Sequence, residues 1–179
     1  MLVLLAPLSR TQAVTAVVGP QGNDPNTAGS ADLIGRPAPE FSLPSLDPAN
    51  DPVQLREHRG KVVYLDFWSS WCAPCRRAMP YLDELRSRFS REDFEVVGIN
   101  VDPIVEDARR FLEQVPVSYP VASDPEGRVA DRFGIAVLPA VVVVDRSGTV
   151  RAMLRGAAVE EQGELRAKLT KLIGEREVQ

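Results

Sequence analysis

The sequence has few of the residues that bind metals or form disulfide frameworks. It contains two cysteines and one histidine among 179 residues, whereas a structural zinc site uses about four such ligands. The formal net charge is −4, and no basic run is longer than the pair Arg76-Arg77. The composition therefore gives no indication of binding to nucleic acid or to an anionic membrane surface, and we expect the arginine pair to lie on a solvated helix face.

The first residues lack the features of a complete export signal or of a membrane span. The apolar run Met1–Leu8 is too short to cross a bilayer, and no basic region precedes it. Residues 14–16 would fit a small-residue cleavage site. Residues 19–30 are polar and rich in turn-forming residues, which predicts a disordered linker. We therefore expect a leader-like flexible segment, 1–34, followed by one domain, 35–179.

The two cysteines, Cys72 and Cys75, lie where a strand is predicted to turn into a helix. The β-rich apolar segment Val62–Leu65 precedes them. A series of residues that begins with the second cysteine has the spacing of one helix face: Cys75, Met79, Leu82, Leu85 and Phe89. The first N–H groups of a helix lack backbone partners, and the helix dipole favours negative charge there. A thiolate at Cys72 is therefore expected to be stabilised, with a lowered pKa.

Three other interpretations of the cysteine pair fit its position less well than a redox role. A zinc site lacks ligands, as described above. Inert core cysteines need no partner and could lie anywhere in the core, so they do not explain why both lie at one junction. A purely structural disulfide would close a very short loop, and the stabilisation grows with loop length. A dithiol that cycles between its reduced and oxidised forms is favoured.

The remaining elements predict an α/β fold with a mixed central sheet and helices on both faces. A short hairpin is expected from segments 41–43 and 53–55. It is followed by β-α-β, then α-β-α, then β-β-α, with an apolar run at Val141–Val144 that is typical of a strand buried on both faces. The region between Val101 and Phe133 contains an additional helix and strand.

The segment from Asp66 to Cys75, followed by Pro80, resembles the active-site segment of thioredoxins. The similarity is to the envelope thioredoxins of the TlpA/ResA/CcmG type, and it extends from about Gly35 to Gly174. It implies a thioredoxin fold with an N-terminal β-hairpin and an inserted α-β element, which the peroxiredoxin-like branch also contains. It further implies a thiol–disulfide oxidoreductase that needs no cofactor beyond its dithiol and no metal.

The resemblance assigns roles to three residues. Cys72 would be the exposed nucleophile and Cys75 the buried resolving thiol of a redox-active disulfide. Asp66, inside an apolar strand, would relay a proton to and from Cys75. Burial raises the pKa of a carboxyl group, which suits a proton acceptor near neutral pH. A purely structural aspartate is the alternative.

A substrate groove is also implied by the resemblance. It would be lined by Trp71, Ala73, Pro74, Leu138 and Pro139. Pro139 would follow a cis peptide bond, which is rare in general. The neighbouring tryptophan at 68 is expected in the core.

The expected function is the reduction of disulfides in bacterial envelope proteins, for instance apocytochromes or proteins with metal-site cysteines. The partners would be disulfide-bearing protein substrates and a membrane thiol carrier that supplies electrons, with no nucleic acid. The absence of other cysteines suits an oxidising compartment, so we expect a periplasmic or membrane-associated location, while a cytoplasmic one stays open. Two alternatives remain: a peroxiredoxin-like peroxidase, although the Pro-x-x-x-Thr-x-x-Cys pattern is lacking, and a copper-binding module that uses both thiolates.

Overall fold

The computed structural model describes residues 33–156 and 163–175. The predicted leader-like segment, 1–34, lies almost entirely outside the described residues, so the division of the chain near residue 35 stays a prediction. Among the described helices, none is both long enough and apolar enough to cross a bilayer.

The described residues form a two-stranded hairpin, a five-stranded sheet and four helices. The strands are β1 (Ser42–Leu43), β2 (Val53–Gln54), β3 (Val62–Trp68), β4 (Phe94–Asn100), β5 (Val121–Ser123), β6 (Ala140–Val144) and β7 (Val150–Arg155). The helices are α1 (Ala73–Ser87), α2 (Val105–Gln114), α3 (Arg128–Arg132) and α4 (Gly163–Gly174), and a 3-10 turn covers Leu55–His58.

The large sheet has the strand order β5-β4-β3-β6-β7. Strands β3, β4 and β5 are parallel, whereas β6 runs antiparallel to β3 and β7 antiparallel to β6. The sheet is therefore mixed, and the hairpin of β1 and β2 is antiparallel. These features confirm the predicted thioredoxin fold, with α2 and β5 in the predicted insert.

The central strand β3 is buried on both faces, and its side chains divide between two cores. Val62, Tyr64 and Trp68 pack in a core that includes residues of α1, α2 and α4. Val63, Leu65 and Phe67 pack in a second core with residues of α3 and of the segment before β3. Because side chains alternate along a strand, Asp66 lies on the face that α1 and α4 cover.

A buried ion pair fixes the C-terminal end of α1 against the sheet. The guanidinium of Arg86 pairs with the carboxylate of Glu95 at the start of β4, and both side chains are buried. Glu95 also accepts from the backbone N–H of Val96 at 3.0 Å, and Arg86 donates to the hydroxyl of Ser118 at 3.3 Å. These additional bonds matter because a buried charge is tolerated only when it is well paired.

The segment between β1 and β2 covers the edge of the sheet. Ser45 forms an antiparallel bridge with Ala122 of β5. The N–H of Leu46 donates to the carbonyl of Val121 at 2.8 Å, and the N–H of Ser123 donates to the carbonyl of Pro44 at 2.9 Å. Two backbone groups of β5, the edge strand that belongs to the insert, are therefore paired by this segment, as is usual for a protected edge.

Candidate active site

The cysteine pair lies at the N-terminus of α1, directly after the loop that leaves β3. Cys72 caps the helix and is joined to Cys75 by a disulfide with a Cα–Cα distance of 5.3 Å. The backbone N–H of Cys75 donates to the Sγ atom of Cys72 at 3.3 Å. The helix start thus directs one of its unpaired donors at this sulfur, and a thiolate in the same position would accept the same bond.

The expectation that Cys72 is exposed is wrong for the disulfide form. Only 4% of the residue is accessible to solvent, against 0% for Cys75. The cause is the capping arrangement, since the sulfur of Cys72 faces Cys75 and the first turn of the helix rather than solvent. The predicted difference in solvent exposure between the two cysteines is therefore small in the disulfide form.

A carboxylate that the sequence analysis missed holds the loop before the cysteines in place. Asp102 accepts from the N–H of Ser70 at 2.8 Å and from its hydroxyl at 3.0 Å. The amide of Asn100 donates to the same carboxylate at 2.7 Å, and the N–H of Asp102 donates back to Asn100 at 3.0 Å. The sequence signal that could have found Asp102 is its position directly after a buried strand. Because β3 and β4 are parallel, their carboxyl ends lie at the same end of the sheet, and the residues that follow them come close together.

Asp66 is buried as predicted, and neither of its carboxyl oxygens has a hydrogen-bond partner. Its register partners are Gly98 on β4 and Val141 on β6, neither of which carries a charge. Burial alone raises the pKa of Asp66 from 3.8 to about 7, since the apolar surroundings disfavour the ionised form. A carboxyl group of this kind can take up and release a proton near neutral pH.

The structure places the predicted groove residues at the same end of the sheet. Trp71 is 70% exposed and Ala73 is exposed, whereas Pro74 and Leu138 are half-buried and Pro139 is buried. The bond between Leu138 and Pro139 is cis, as predicted. The pairing of Phe67 with Ala140 puts the start of β6 beside the end of β3. The loop that carries the cysteines leaves the sheet at this same end of β3.

Trp68, unlike Trp71, is a core residue, as predicted. Trp68 is fully buried, and its ring lies 5.2 Å from that of Phe111 on α2, measured between centroids. The guanidinium of Arg76 on α1 lies 5.7 Å from the centroid of the same phenylalanine ring, within the range of a cation–π contact. The inserted helix α2 is thereby packed against the start of α1.

We predict that Asp66→Asn stabilises the protein in a pH-dependent manner. Between about pH 4 and pH 7 the unfolded chain has lost the proton of Asp66 while the folded protein still holds it, so the free energy of unfolding of the parent falls as pH rises. The asparagine variant carries no such proton. Its advantage should grow from near zero at pH 4 to about 4 kcal/mol at pH 8, measured by urea denaturation.

The matched control for this measurement is Asp131→Asn, a change at an exposed position in α3. It should show no difference that grows with pH. A constant difference between parent and Asp66→Asn from pH 4 to pH 8 would contradict the assignment of a raised pKa to Asp66.

Comparisons with known proteins agree with this geometry. The model of the AhpC/TSA family matches residues 34–153. The thiol-disulfide oxidoreductase ResA of Geobacillus thermodenitrificans is 31% identical over 135 residues, which covers 75% of this chain and 76% of that protein. The ResA of Bacillus anthracis is 30% identical over 129 residues, with 72% and 73% covered.

Solved structures give the same result. A protein from Chlorobium tepidum assigned as thiol:disulfide interchange protein DsbE is 35% identical, with a TM-score of 0.74, and the match covers 79% of this chain and 98% of that one. A protein from Bacteroides thetaiotaomicron assigned as a protein disulfide isomerase is 31% identical, with a TM-score of 0.69 and coverage of 79% and 91%. The chain therefore belongs to the AhpC/TSA family and is a thiol-disulfide oxidoreductase of the TlpA/ResA/CcmG type.

Proposed function

We propose that the enzyme reduces disulfides of envelope proteins, with Cys72 as nucleophile, Cys75 as resolving thiol and Asp66 as proton acceptor. The observation that carries this proposal is the position of Asp66. Its carboxyl group is buried without a partner on the sheet face that α1 covers, and α1 begins with the cysteine pair. A buried carboxyl group without a partner weakens the fold at neutral pH. A role in proton exchange would explain why it is present.

In the first step, the Cys72 thiolate of the reduced enzyme attacks one sulfur of the substrate disulfide. The substrate S–S bond breaks, a mixed disulfide forms, and the other substrate sulfur leaves as a thiolate that takes up a proton. The N–H of Cys75, which donates to Sγ of Cys72, would stabilise the attacking thiolate.

In the second step, Cys75 transfers its proton to Asp66 and attacks Sγ of Cys72. The bond between enzyme and substrate breaks, the second substrate sulfur leaves, and the Cys72–Cys75 disulfide closes. Two electrons have then passed from the enzyme to the substrate. An ionised carboxylate whose pKa is about 7 can accept a proton from a thiol, whose ordinary pKa is about 8.5.

The groove residues would hold the substrate during this exchange. Trp71 offers an exposed apolar surface directly before Cys72, and Ala73, Pro74, Leu138 and Pro139 lie at the same end of the sheet. A membrane thiol carrier would reduce the enzyme again after each turnover. The envelope location is supported by cysteine usage, because the chain has no thiol beyond the pair that could mispair in an oxidising compartment.

The roles of the two cysteines predict different outcomes for their serine variants. Cys75→Ser should attack a substrate without releasing it, so a mixed disulfide on Cys72 should accumulate and be visible on non-reducing gels and by mass spectrometry. Cys72→Ser should form no adduct and show no turnover, and the double variant serves as a blank. Faster alkylation of Cys75 than of Cys72 in the reduced parent would reverse the assignment.

The direction of electron flow predicts a reducing potential for the pair. We expect a value closer to that of thioredoxin, about −270 mV, than to the about −120 mV of a strong disulfide oxidant. Equilibration with glutathione buffers, followed by thiol trapping, measures it. A value at the oxidising end would make the enzyme an oxidase, because about 30 mV changes the equilibrium tenfold for a two-electron couple.

The exposed tryptophan predicts a selective loss of activity towards proteins. Trp71→Ala should slow reduction of a protein disulfide such as that of insulin about tenfold, equal to about 1.4 kcal/mol of lost contact. Reduction of a small alkyl disulfide, which cannot span the groove, should change little. The control is Ile34→Ala, an apolar residue that is 53% exposed near the start of β7, at the opposite end of the sheet. An equal loss of reduction rate for both substrates would show that the tryptophan does not contact the protein substrate.

A further inference from the structure

The strand beside Asp66 carries a glycine that allows two aromatic rings to lie close to the sheet. Gly98 of β4 is the register partner of Asp66, and Val121 of β5 is the next residue in the same row. A Cβ atom at Gly98 would lie 3.2 Å from Nε1 of Trp68 and 3.4 Å from Cε2 of Tyr119. A side chain at position 98 would crowd both rings, so the glycine allows them to lie beside the strand position next to Asp66.

Three residues next to Gly98 carry polar groups that are buried without a direct hydrogen-bond partner. These groups are the indole N–H of Trp68, the hydroxyl of Tyr119 and both carboxyl oxygens of Asp66. Each such group costs free energy when it stays unpaired, and native proteins contain few of them. Here two donors and one acceptor belong to residues that neighbour the same glycine. Polar groups that are too far apart for direct contact are commonly joined by a buried water.

We propose that Tyr119 is a positioning residue for Asp66: together with the indole N–H of Trp68 it donates to one buried water, and that water donates to the carboxylate. This inference rests on the proposed role of Asp66 as proton acceptor. The water holds the ionised carboxylate in one orientation, so that the proton from Cys75 arrives at a fixed oxygen. Tyr119 itself does not touch the reacting sulfurs.

The protonation state of Tyr119 suits a permanent donor. Burial raises the pKa of its hydroxyl far above the ordinary value, and the negative charge of Asp66 and then of Asp83 acts in the same direction. The phenol therefore keeps its proton near neutral pH. The charge of Asp66 acts on the pKa of Tyr119 from the strand on the other side of β4.

Other titratable groups among the described residues lie on or near this face. They are Cys72, Cys75, Arg76, Tyr81, Asp83, Arg86, Tyr64 of β3, and Glu95 of β4, which pairs with Arg86. Asp83 accepts from the N–H and the hydroxyl of Ser118 at 2.7 Å, next to Tyr119. Tyr119 is a neutral donor on this face, through which the carboxylate of Asp66 can be stabilised.

The direct test is the pKa of Asp66, followed in the full chain by ¹³C NMR of labelled aspartate carboxyl groups. Hydrogen bonding to the ionised form lowers the pKa of a carboxyl group, so Tyr119→Phe, which removes the donor and keeps the ring, should raise the pKa of Asp66 by about one unit. Tyr81→Phe, the same change at a half-buried position on α1, should leave it unchanged. An unchanged or lowered pKa of Asp66 in Tyr119→Phe overturns the proposal.

A second variant tests the arrangement without removing any polar group. Gly98→Ala places a methyl group at 3.2–3.4 Å from both rings, which should displace them from the strand and raise the pKa of Asp66 in the same direction. A pKa equal to that of the parent would count against the water bridge.

Turnover separates this inference from the proposed function. Tyr119→Phe should shift the pH profile of turnover to higher pH in the parent background, and it should shift nothing further in the Asp66→Asn background. If Asp66→Asn leaves turnover unchanged at every pH, the proton-acceptor role fails. The NMR titration then still decides whether Tyr119 positions the carboxyl group.

Discussion

A buried carboxyl group without a direct partner, in a largely apolar sheet, is the constraint on which the rest of this structure depends. Asp66 has no direct hydrogen-bond partner, and its burial raises its pKa to about 7. Such a group destabilises a fold in which it must ionise. The two cores that enclose β3, one on each face of the sheet, bury enough apolar side chains to offset this cost. The same burial gives the carboxyl group a pKa at which it can exchange protons.

The loop between β3 and α1 depends on a different set of contacts. The backbone of Ser70 is held by Asp102, and Asp102 is held by Asn100 at the end of β4. The loop is therefore fixed to the neighbouring parallel strand before the chain reaches Cys72. This anchoring fixes the approach of the chain to the first turn of α1, where the N–H of Cys75 points at the sulfur of Cys72.

The sequence predicted the parts of the site that depend on local pattern. Apolar runs and helix spacing located β3, β6 and α1, and the position of the cysteine pair followed from them. The exposure of Cys72 was predicted wrongly, because it depends on which way the sulfur turns when it caps the helix. Asp102 and Tyr119 were missed since their relation to the site depends on the register between β3, β4 and β5. No spacing along the chain shows that register.

The protected edge at β5 has a consequence for an enzyme whose substrates are disulfide-bearing proteins, if these bind as extended segments. An open sheet edge accepts such a chain as an additional strand, and a client bound there would be held away from the cysteines in a dead-end complex. The backbone bonds from Leu46 and to Pro44 occupy that edge from within the same chain. A substrate segment therefore cannot pair with these groups of β5, and this edge does not compete with the groove for substrate.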